Sequence, residues 1–421
     1  MEPPLFSAPR PPSLSSFSHA RTPTLSSHLL RDPDHAPQDA PDLPAAVRSL
    51  LASSFARRTA NLTQARTSAH GGATKLLLRL QDGLEIETVI MRYDTRAAAS
   101  AGCVDGGDDE DEGSPKPASS TARAATGGRR ATVCVSSEVG CAMACQFCAT
   151  GTMGLVGDLT GGEIVEQLDW AAAVLARGRE PAPRNVVFMG MGEPLNNWPA
   201  VRAATALMTH PARWALRRSA VTISTVGVIP RLADLARDLP GVSLALSLHA
   251  PTQEGRLRIV PSARAYPLPK LMAALDAYQV ATGQKVFVEY VLLAGVNDGP
   301  GDAASLAALL GSPDRPPPGL HLNLIPWNPV SAAADAGEEE AESGAPAAPM
   351  AYAAPAPGAV EAFAATVRAA GVPVTVRAEK GQDISGACGQ LVVQQAAAKG
   401  GGCGSGKAAD MEDLVPGTPA S

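Results

Sequence analysis

Ala131-Thr132-Val133-Cys134-Val135-Ser136-Ser137-Glu138-Val139-Gly140-Cys141-Ala142-Met143-Ala144-Cys145-Gln146-Phe147-Cys148 is the stretch on which the fold turns. Its first part, 131–137, is apolar and β-branched and predicts a buried strand. Its second part sets three cysteines in the spacing Cys141-x-x-x-Cys145-x-x-Cys148. Thiolates favour iron–sulfur clusters or zinc. Three ligands leave one iron of a [4Fe–4S] cluster open, and an open iron can chelate the amino and carboxylate groups of S-adenosylmethionine. One-electron reduction then breaks the S–C5′ bond and gives a 5′-deoxyadenosyl radical. The blander readings are a zinc site with its fourth ligand out of view, or chance crowding. A cysteine loop that follows a strand and carries Phe147 before its last cysteine suits a cluster at a barrel mouth.

Outward from this stretch, strand-like and helix-like segments alternate. Strands are predicted at 131–137, 185–189, 220–225, 242–248, 285–293, 320–325 and 373–377. Helices are predicted between and after them at 161–177, 198–208, 229–237, 267–281, 302–310 and 358–370. Thr160 with Glu163 three residues on is a capping box for the first helix. Val242-Ser243-Leu244-Ala245-Leu246-Ser247-Leu248 is apolar on both faces at several positions, as buried parallel strands are. Alternating β and α implies an α/β protein with a parallel sheet covered by helices. Six or so units fit a partial (β/α)6 TIM-like barrel, with ligands at the carboxyl ends of its strands.

Gly190-Met191-Gly192-Glu193-Pro194 follows the strand at 185–189. Small residues let a ligand approach the backbone, and a carboxylate accepts from an ammonium group. Read alone it is equally a tight turn. Ser224, Ser247 and His249 fall at strand ends, and Asn328 follows another strand in Ile325-Pro326-Trp327-Asn328-Pro329. Each alone is an ordinary satisfied polar residue; together they are placed to line one pocket. Cys134 lies on the strand leading into the cysteine loop, and Cys388 just after the last strand. A buried free cysteine is usually inert packing. Two at opposite ends of a barrel could instead meet at its mouth as a redox or covalent pair.

Composition bounds the rest. The 421 residues are 45% hydrophobic, enough for a substantial core, while Gly 40 and Pro 37 point to loose inserts within an ordered enzyme. Of seven cysteines four crowd into 134–148, which reads as metal or redox chemistry and not as a disulfide scaffold. Two acid runs, Asp105 to Glu112 and Asp335 to Glu342, hold eleven acids; without them the net charge of −6 becomes +5, which permits a nucleic-acid substrate. No apolar run reaches membrane-spanning length, so no membrane partner is expected. Residues 1–40 read as a disordered tail or a transit peptide, because 1–31 is hydroxyl-rich with Glu2 its only acid. An organellar compartment, such as a chloroplast, and a cytoplasmic one are both open. Residues 41–95 read as a small N-terminal accessory module, with two strands around Gln81-Asp82-Gly83. The segments 97–128 and 331–357 read as disordered inserts, 129–395 as the core domain around the second, and 399–421 as a disordered tail. Arg217, Arg218, Arg256 and Arg258 are either solvated charges or RNA contacts.

Taken together, these motifs resemble one family: the radical S-adenosylmethionine enzymes that methylate adenine C2 in large-subunit ribosomal RNA and transfer RNA. The resemblance rests on Cys134-Val135-Ser136-Ser137-Glu138-Val139-Gly140-Cys141, Met189-Gly190-Met191-Gly192-Glu193-Pro194 and Ser247-Leu248-His249-Ala250-Pro251. It rests also on Ile325-Pro326-Trp327-Asn328-Pro329 and Ala387-Cys388-Gly389-Gln390-Leu391. Met91-Arg92-Tyr93-Asp94-Thr95-Arg96 further resembles a plant and algal branch.

The resemblance implies two S-adenosylmethionine molecules per turnover. One methylates Cys388; the other is cleaved, and its radical takes a hydrogen atom from that S-methyl group. The carbon radical adds to adenine C2, Glu87 removes the C2 proton, and Cys134 attacks the sulfur of Cys388, leaving a disulfide. The same resemblance places Gly192, Glu193, Ser224, Ser247, Leu248, His249 and Asn328 around S-adenosylmethionine, and Cys141, Cys145 and Cys148 on the cluster. The partners it implies are the RNA and an electron donor such as ferredoxin or flavodoxin, acting on a monomer. Three rivals stand beside this reading: adenine C8 methylation by the same machinery, a radical enzyme with another substrate, and an RNA-binding protein with a zinc-filled site.

Overall fold

The computed structural model describes residues 38, 43–54, 56–94, 128–329 and 352–391, and the structural statements below concern these. The expected inserts and tails lie almost wholly outside them, as does the tail or transit-peptide reading of 1–40 apart from residue 38. Residues 352–356, expected in the second insert, are placed, and Tyr352 packs edge-on against Trp327 with ring centroids 6.1 Å apart.

Seven strands run parallel in the order β4 (Arg129–Cys134), β7 (Pro183–Phe188), β8 (Val221–Thr225), β9 (Ser243–Ser247), β10 (Val286–Leu292), β11 (Leu320–Pro326) and β12 (Val374–Val376). Their hydrophobic parity explains the layers. Val133, Val186, Ile223, Leu244, Leu246, Val288, Leu322 and Leu324 are at most 1% exposed and belong to the apolar core. The opposite parity carries Cys134, Val187, Ser224, Ser247, Glu289 and Ile325, which line cavities.

The helices fall where the sequence predicts them, within two residues at each end. Thr160 caps Gly161–Arg177: its Oγ1 accepts from Glu163 N at 3.2 Å, and its own N–H donates to Glu163 Oε2 at 2.8 Å. Gln253–Ile259 is a helix the sequence analysis does not predict; it is short, and its Gly255 and alternating charges hide the helical period.

The N-terminal residues extend this sheet. A meander of β1 (Asn61–Thr67), β2 (Ala73–Arg79) and β3 (Glu85–Asp94) pairs antiparallel and joins the edge of β4, with Val89 opposite Cys134. The module of three strands, one more than predicted, therefore shares the barrel's sheet. It is also fastened to the helix Gly161–Arg177. Asp169 takes Arg57 at 2.8 Å and Arg58 at 2.5 Å, and Glu166 accepts the N–H groups of Thr59 and Ala60. A two-stranded hairpin, β5 (Glu138–Gly140) with β6 (Leu155–Asp158), brackets the cysteine loop.

Among the described residues the edge strands β1 and β12 do not pair, so strands alone do not close the barrel. The segment after β12 spans the gap. Lys380 Nζ donates to Arg92 O at 2.8 Å, Ala69 N donates to Asp383 Oδ2 at 2.8 Å, and Lys75 Nζ donates to Ser385 O at 3.3 Å. No helix among the described residues is long and apolar enough to cross a membrane.

Candidate active site

The carboxyl ends of the parallel strands open onto a cavity. Cys141, Cys145 and Cys148 line one side, and Gly192, Glu193, Ser224, Ser247 and His249 line the others, with Cys388 at its edge. The cysteine loop is fixed at both ends of its run. Cys141 N donates to Gly154 O at 2.8 Å, and Gln146 N to Ile259 O at 2.9 Å. Ala144 within it holds a left-handed φ of 52°, a strained state for a residue with a Cβ.

Glu193 is buried, and both its oxygens take backbone N–H groups: Oε2 from Val226 at 2.9 Å and Oε1 from Leu195 at 3.0 Å. Its own N–H donates to Glu138 Oε2 at 2.9 Å. Burial pushes both Glu193 and Glu138 up to about 7. Gly190 and Gly192 make this approach possible. A Cβ on Gly190 would lie 2.7 Å from Val135 O, and one on Gly192 would lie 2.6 Å from Glu138 Cβ.

Ser224 and Ser247 touch through their hydroxyls at 3.2 Å. His249 also has a left-handed φ, 60°; its Nδ1 accepts from Val291 N at 3.0 Å, and Phe147 meets its ring edge-on at 4.6 Å. Burial, then the nearby Arg256 charge, holds its ring down to about 3, so it is neutral near pH 7. Leu248 is fully buried and its side chain does not line the cavity; its main chain donates to Glu289 O at 3.0 Å.

A second cavity adjoins the first. Cys134, Asn328, Val89, Met91, Tyr93 and Lys380 line it, and Met189, Ile325, Arg377, Cys388 and Leu391 belong to both. Asn328 is thus on the second cavity, where its Nδ2 donates to Cys388 O at 3.2 Å. Burial foremost, then the proximity of Cys388, pushes the Cys134 thiol up to about 12, while Arg377 pulls the other way. The two outer cysteines line one cavity, and all five described cysteines are free thiols. Glu87 does not line either cavity. It is buried on β3, on the face that carries Val89, Met91 and Tyr93, and pairs with Lys75 at 2.6 Å.

Three of the arginines singled out for RNA contact sit elsewhere. Arg256 is fully buried: its Nε donates to Leu248 O at 3.0 Å and its Nη2 to Val226 O at 2.8 Å, which ties together the loops after β8 and β9. Arg217 and Arg218 precede β8, at the end of the barrel opposite the cavity, and Arg218 donates to Pro240 O. Only Arg258, exposed on the helix after β9, sits on the cavity's side of the barrel. Arg377, Glu289 and Val226 also line the cavity, though none of the sequence motifs marks them. Val226 and Arg377 each follow the end of a strand, so the strand-end rule applied to β8 and β12 would have found them.

Residues 135–307 match the family described as the Radical SAM superfamily. A protein of Moorella thermoacetica named "Probable dual-specificity RNA methyltransferase RlmN" is 39% identical, over 83% of this chain and 84% of its own length. The "Dual-specificity RNA methyltransferase RlmN" of Sorangium cellulosum is also 39% identical, over 84% of each chain. The chain belongs to the RlmN family. In structure it is similar to a radical SAM methyltransferase from Sphaerobacter thermophilus, with TM-score 0.70 and 35% identity over 88% of this chain and 92% of that one.

RlmN proteins use a [4Fe–4S] cluster and S-adenosylmethionine, and the residues here fit both. Among the described residues no three metal-ligating side chains converge as a single ion requires. A four-iron cluster instead takes each thiolate on its own iron, so the three sulfurs need only surround it. Burial raises all three thiols, Cys141 to about 12, so each keeps its proton until a metal displaces it. Arg256 Nη1 is buried with no hydrogen-bond partner among the described residues, and its charge acts on Cys145, as suits an anionic cluster. Glu193 and the glycine-cleared backbone beside it suit the ammonium end of S-adenosylmethionine.

Proposed function

We propose that this chain methylates C2 of an adenosine in large-subunit ribosomal RNA, transfer RNA or both, with Cys388 as the methyl carrier. One observation carries the reading: Cys388 lies in the wall shared by the cavity of the cluster cysteines and the cavity of Cys134. A group on its sulfur is within reach of chemistry on both sides.

Cys141, Cys145 and Cys148 hold the cluster, and Glu193, Ser224, Ser247, His249 and the main chain at Gly192 and Leu248 hold S-adenosylmethionine. The Cys388 sulfur first takes a methyl group from one S-adenosylmethionine, and S-adenosylhomocysteine leaves. The cluster held by Cys141, Cys145 and Cys148 would supply the electron for cleavage of a second S-adenosylmethionine; methionine would leave, and the 5′-deoxyadenosyl fragment would take a hydrogen atom from the S-methyl group. The target base enters the second cavity, whose walls Val89, Met91 and Ile325 are apolar and whose Arg377 and Lys380 offer donors. There C2 would bond to the carbon that Cys388 carries, and the unpaired electron left on the ring would return to the oxidised cluster. Glu87, behind the second cavity's wall on the Val89 face of β3, is assigned the C2 proton by its place in the family motif, and Asn328 steadies the Cys388 backbone. The Cys134 thiolate then attacks the Cys388 sulfur; the sulfur–methylene bond breaks, the departing carbon takes up one proton to become the methyl group, and a disulfide is left. Arg377 favours the Cys134 thiolate against burial.

The electron donor in this reading is a small protein such as ferredoxin or flavodoxin, and the enzyme works as a monomer. An organellar site of action rests on the acid-poor start of the sequence; an import assay with residues 1–60 fused to a reporter tests it.

The decisive measurement is nucleoside mass spectrometry of ribosomal and transfer RNA incubated with the reconstituted enzyme and labelled S-adenosylmethionine. Label at C2 with wild type and none with Cys388→Ala is expected. Label only at C8, or methylation that survives Cys388→Ala, overturns the proposal.

A further inference from the structure

Lys75 stands at a junction that the steps above leave unexplained. It lies on β2, opposite Val89 of β3, which in turn lies opposite Cys134 of β4. One row across three strands thus holds Lys75, Val89 and Cys134. Leu77 lies opposite Glu87, so Lys75 and Glu87 are diagonal neighbours. The Lys75 ammonium reaches Glu87 Oε1 at 2.6 Å and donates to Ser385 O at 3.3 Å. Its side chain is 12% exposed and that of Glu87 5%. Ser385 is three residues before Cys388 and holds a left-handed φ of 52°. Ser136 Oγ donates to Glu87 O at 2.7 Å and pins the main chain beneath the carboxylate.

We propose that Lys75 is a positioning residue for the proton-transfer step: it locks the Glu87 carboxylate in register with the Cys388-bearing segment. The inference rests on the role proposed for Glu87. In that step the adenine C2–H bond breaks, its electron pair stays in the ring system, and the proton passes to the carboxylate. Lys75 keeps its bond to Ser385 O, so the base and the methylene carrier stay aligned as the carboxylate takes the proton. A buried ion pair is weak evidence for stability, since apolar residues in its place often fold as well, which leaves a positioning role open to this one.

Lys75→Met keeps the length of the stem and removes the charge. With the reconstituted enzyme and RNA, Cys388 methylation and 5′-deoxyadenosine formation are expected to persist in this variant. Methylated RNA is expected to fall at least about tenfold, as the loss of a positioned base implies. The adduct joining adenosine to Cys388 through its methylene is expected to accumulate, visible as a slowed RNA band and as a modified Cys388 peptide. Lys75→Arg, which can bridge both oxygens, is expected to recover part of the release. Wild-type product with no adduct overturns the inference. So does a parallel fall in Cys388 methylation and product, which would make Lys75 a folding residue. Glu87→Gln separates the two levels. Normal product from that variant defeats the role of Glu87 itself; adduct with Glu87→Gln but none with Lys75→Met defeats the inference about Lys75 alone.

Discussion

Gly192 shows how much one missing methyl group decides. Its φ is +100°, and a Cβ there would meet Glu138 Cβ at 2.6 Å and Glu138 N at 2.8 Å. Gly192→Ala is expected to cost about 1–3 kcal/mol in urea denaturation, from strain and backbone displacement. It should also weaken S-adenosylmethionine binding by equilibrium dialysis, since Glu193 moves with it. His249 gives a prediction in pH. Its folded ring takes a proton only near 3, whereas an unfolded ring does so near about 6.5. Its contribution to stability is full above about pH 6.5 and drains away as the pH falls toward 3. Between pH 7 and 5 the apoprotein should lose about 2 kcal/mol more than His249→Gln does. Glu138 and Glu193, pushed up to about 7, act in the opposite direction and cancel in that difference. Residue types at fixed spacing made the cluster trio, Glu193 and His249 legible in the sequence. The burial of Arg256 was not legible, because an arginine on a short polar helix gives no sign that its guanidinium turns inward to bind carbonyl groups. Nor was the Lys75–Glu87 pair, which exists only once the register of β2 on β3 is known.

At the scale of elements, the parallel strands were legible from their apolar, β-branched runs, and β4, β8 and β9 also from the small or polar residues Cys134, Thr225 and Ser247 at their ends. β1 was not: Asn61-Leu62-Thr63-Gln64-Ala65-Arg66-Thr67 is nearly all exposed and has no apolar alternation to read. It is held by pairing with β2 and by the clamp that precedes it. That clamp is testable. Asp169 receives both Arg57 and Arg58, with the three side chains 11–15% exposed. Asp169→Ala is expected to cost the N-terminal strands about 2 kcal/mol locally, a discount from the fully buried case for partial exposure. Hydrogen exchange should then quicken by about thirtyfold at residues 57–67, while β7 to β11 exchange as in wild type. Equal quickening throughout the sheet would mean that the meander and the barrel unfold as one. The arginines at 217 and 218 carry a related lesson. A basic pair beside a strand is equally visible in sequence at either end, but only the residue after a strand reaches the mouth.

Across the whole molecule, closure depends on a segment and not on a strand. Lys380 and Asp383 fasten the chain after β12 to β3 and to the turn before β2, and Gly389 O accepts from Ala149 N at 2.7 Å beside the cysteine loop. Replacing both Lys380 and Asp383 by Ala is expected to leave the unfolding temperature within a few degrees of wild type. Alkylation of Cys388 should become about tenfold faster, because local opening of such segments needs far less free energy than global unfolding. An unchanged alkylation rate would place the restraint entirely on the cysteine-loop side. Sequence alone could not show this arrangement, since nothing in Glu379 to Gly386 marks it as the closing piece of a barrel. Met189, Ile325, Arg377, Cys388 and Leu391 form a single course of side chains between the two cavities. In a reaction that makes a radical on one side and uses it on the other, that course is insulation. On the proposed reading, a base in the second chamber is screened from the first by these side chains and meets only the carbon that Cys388 presents.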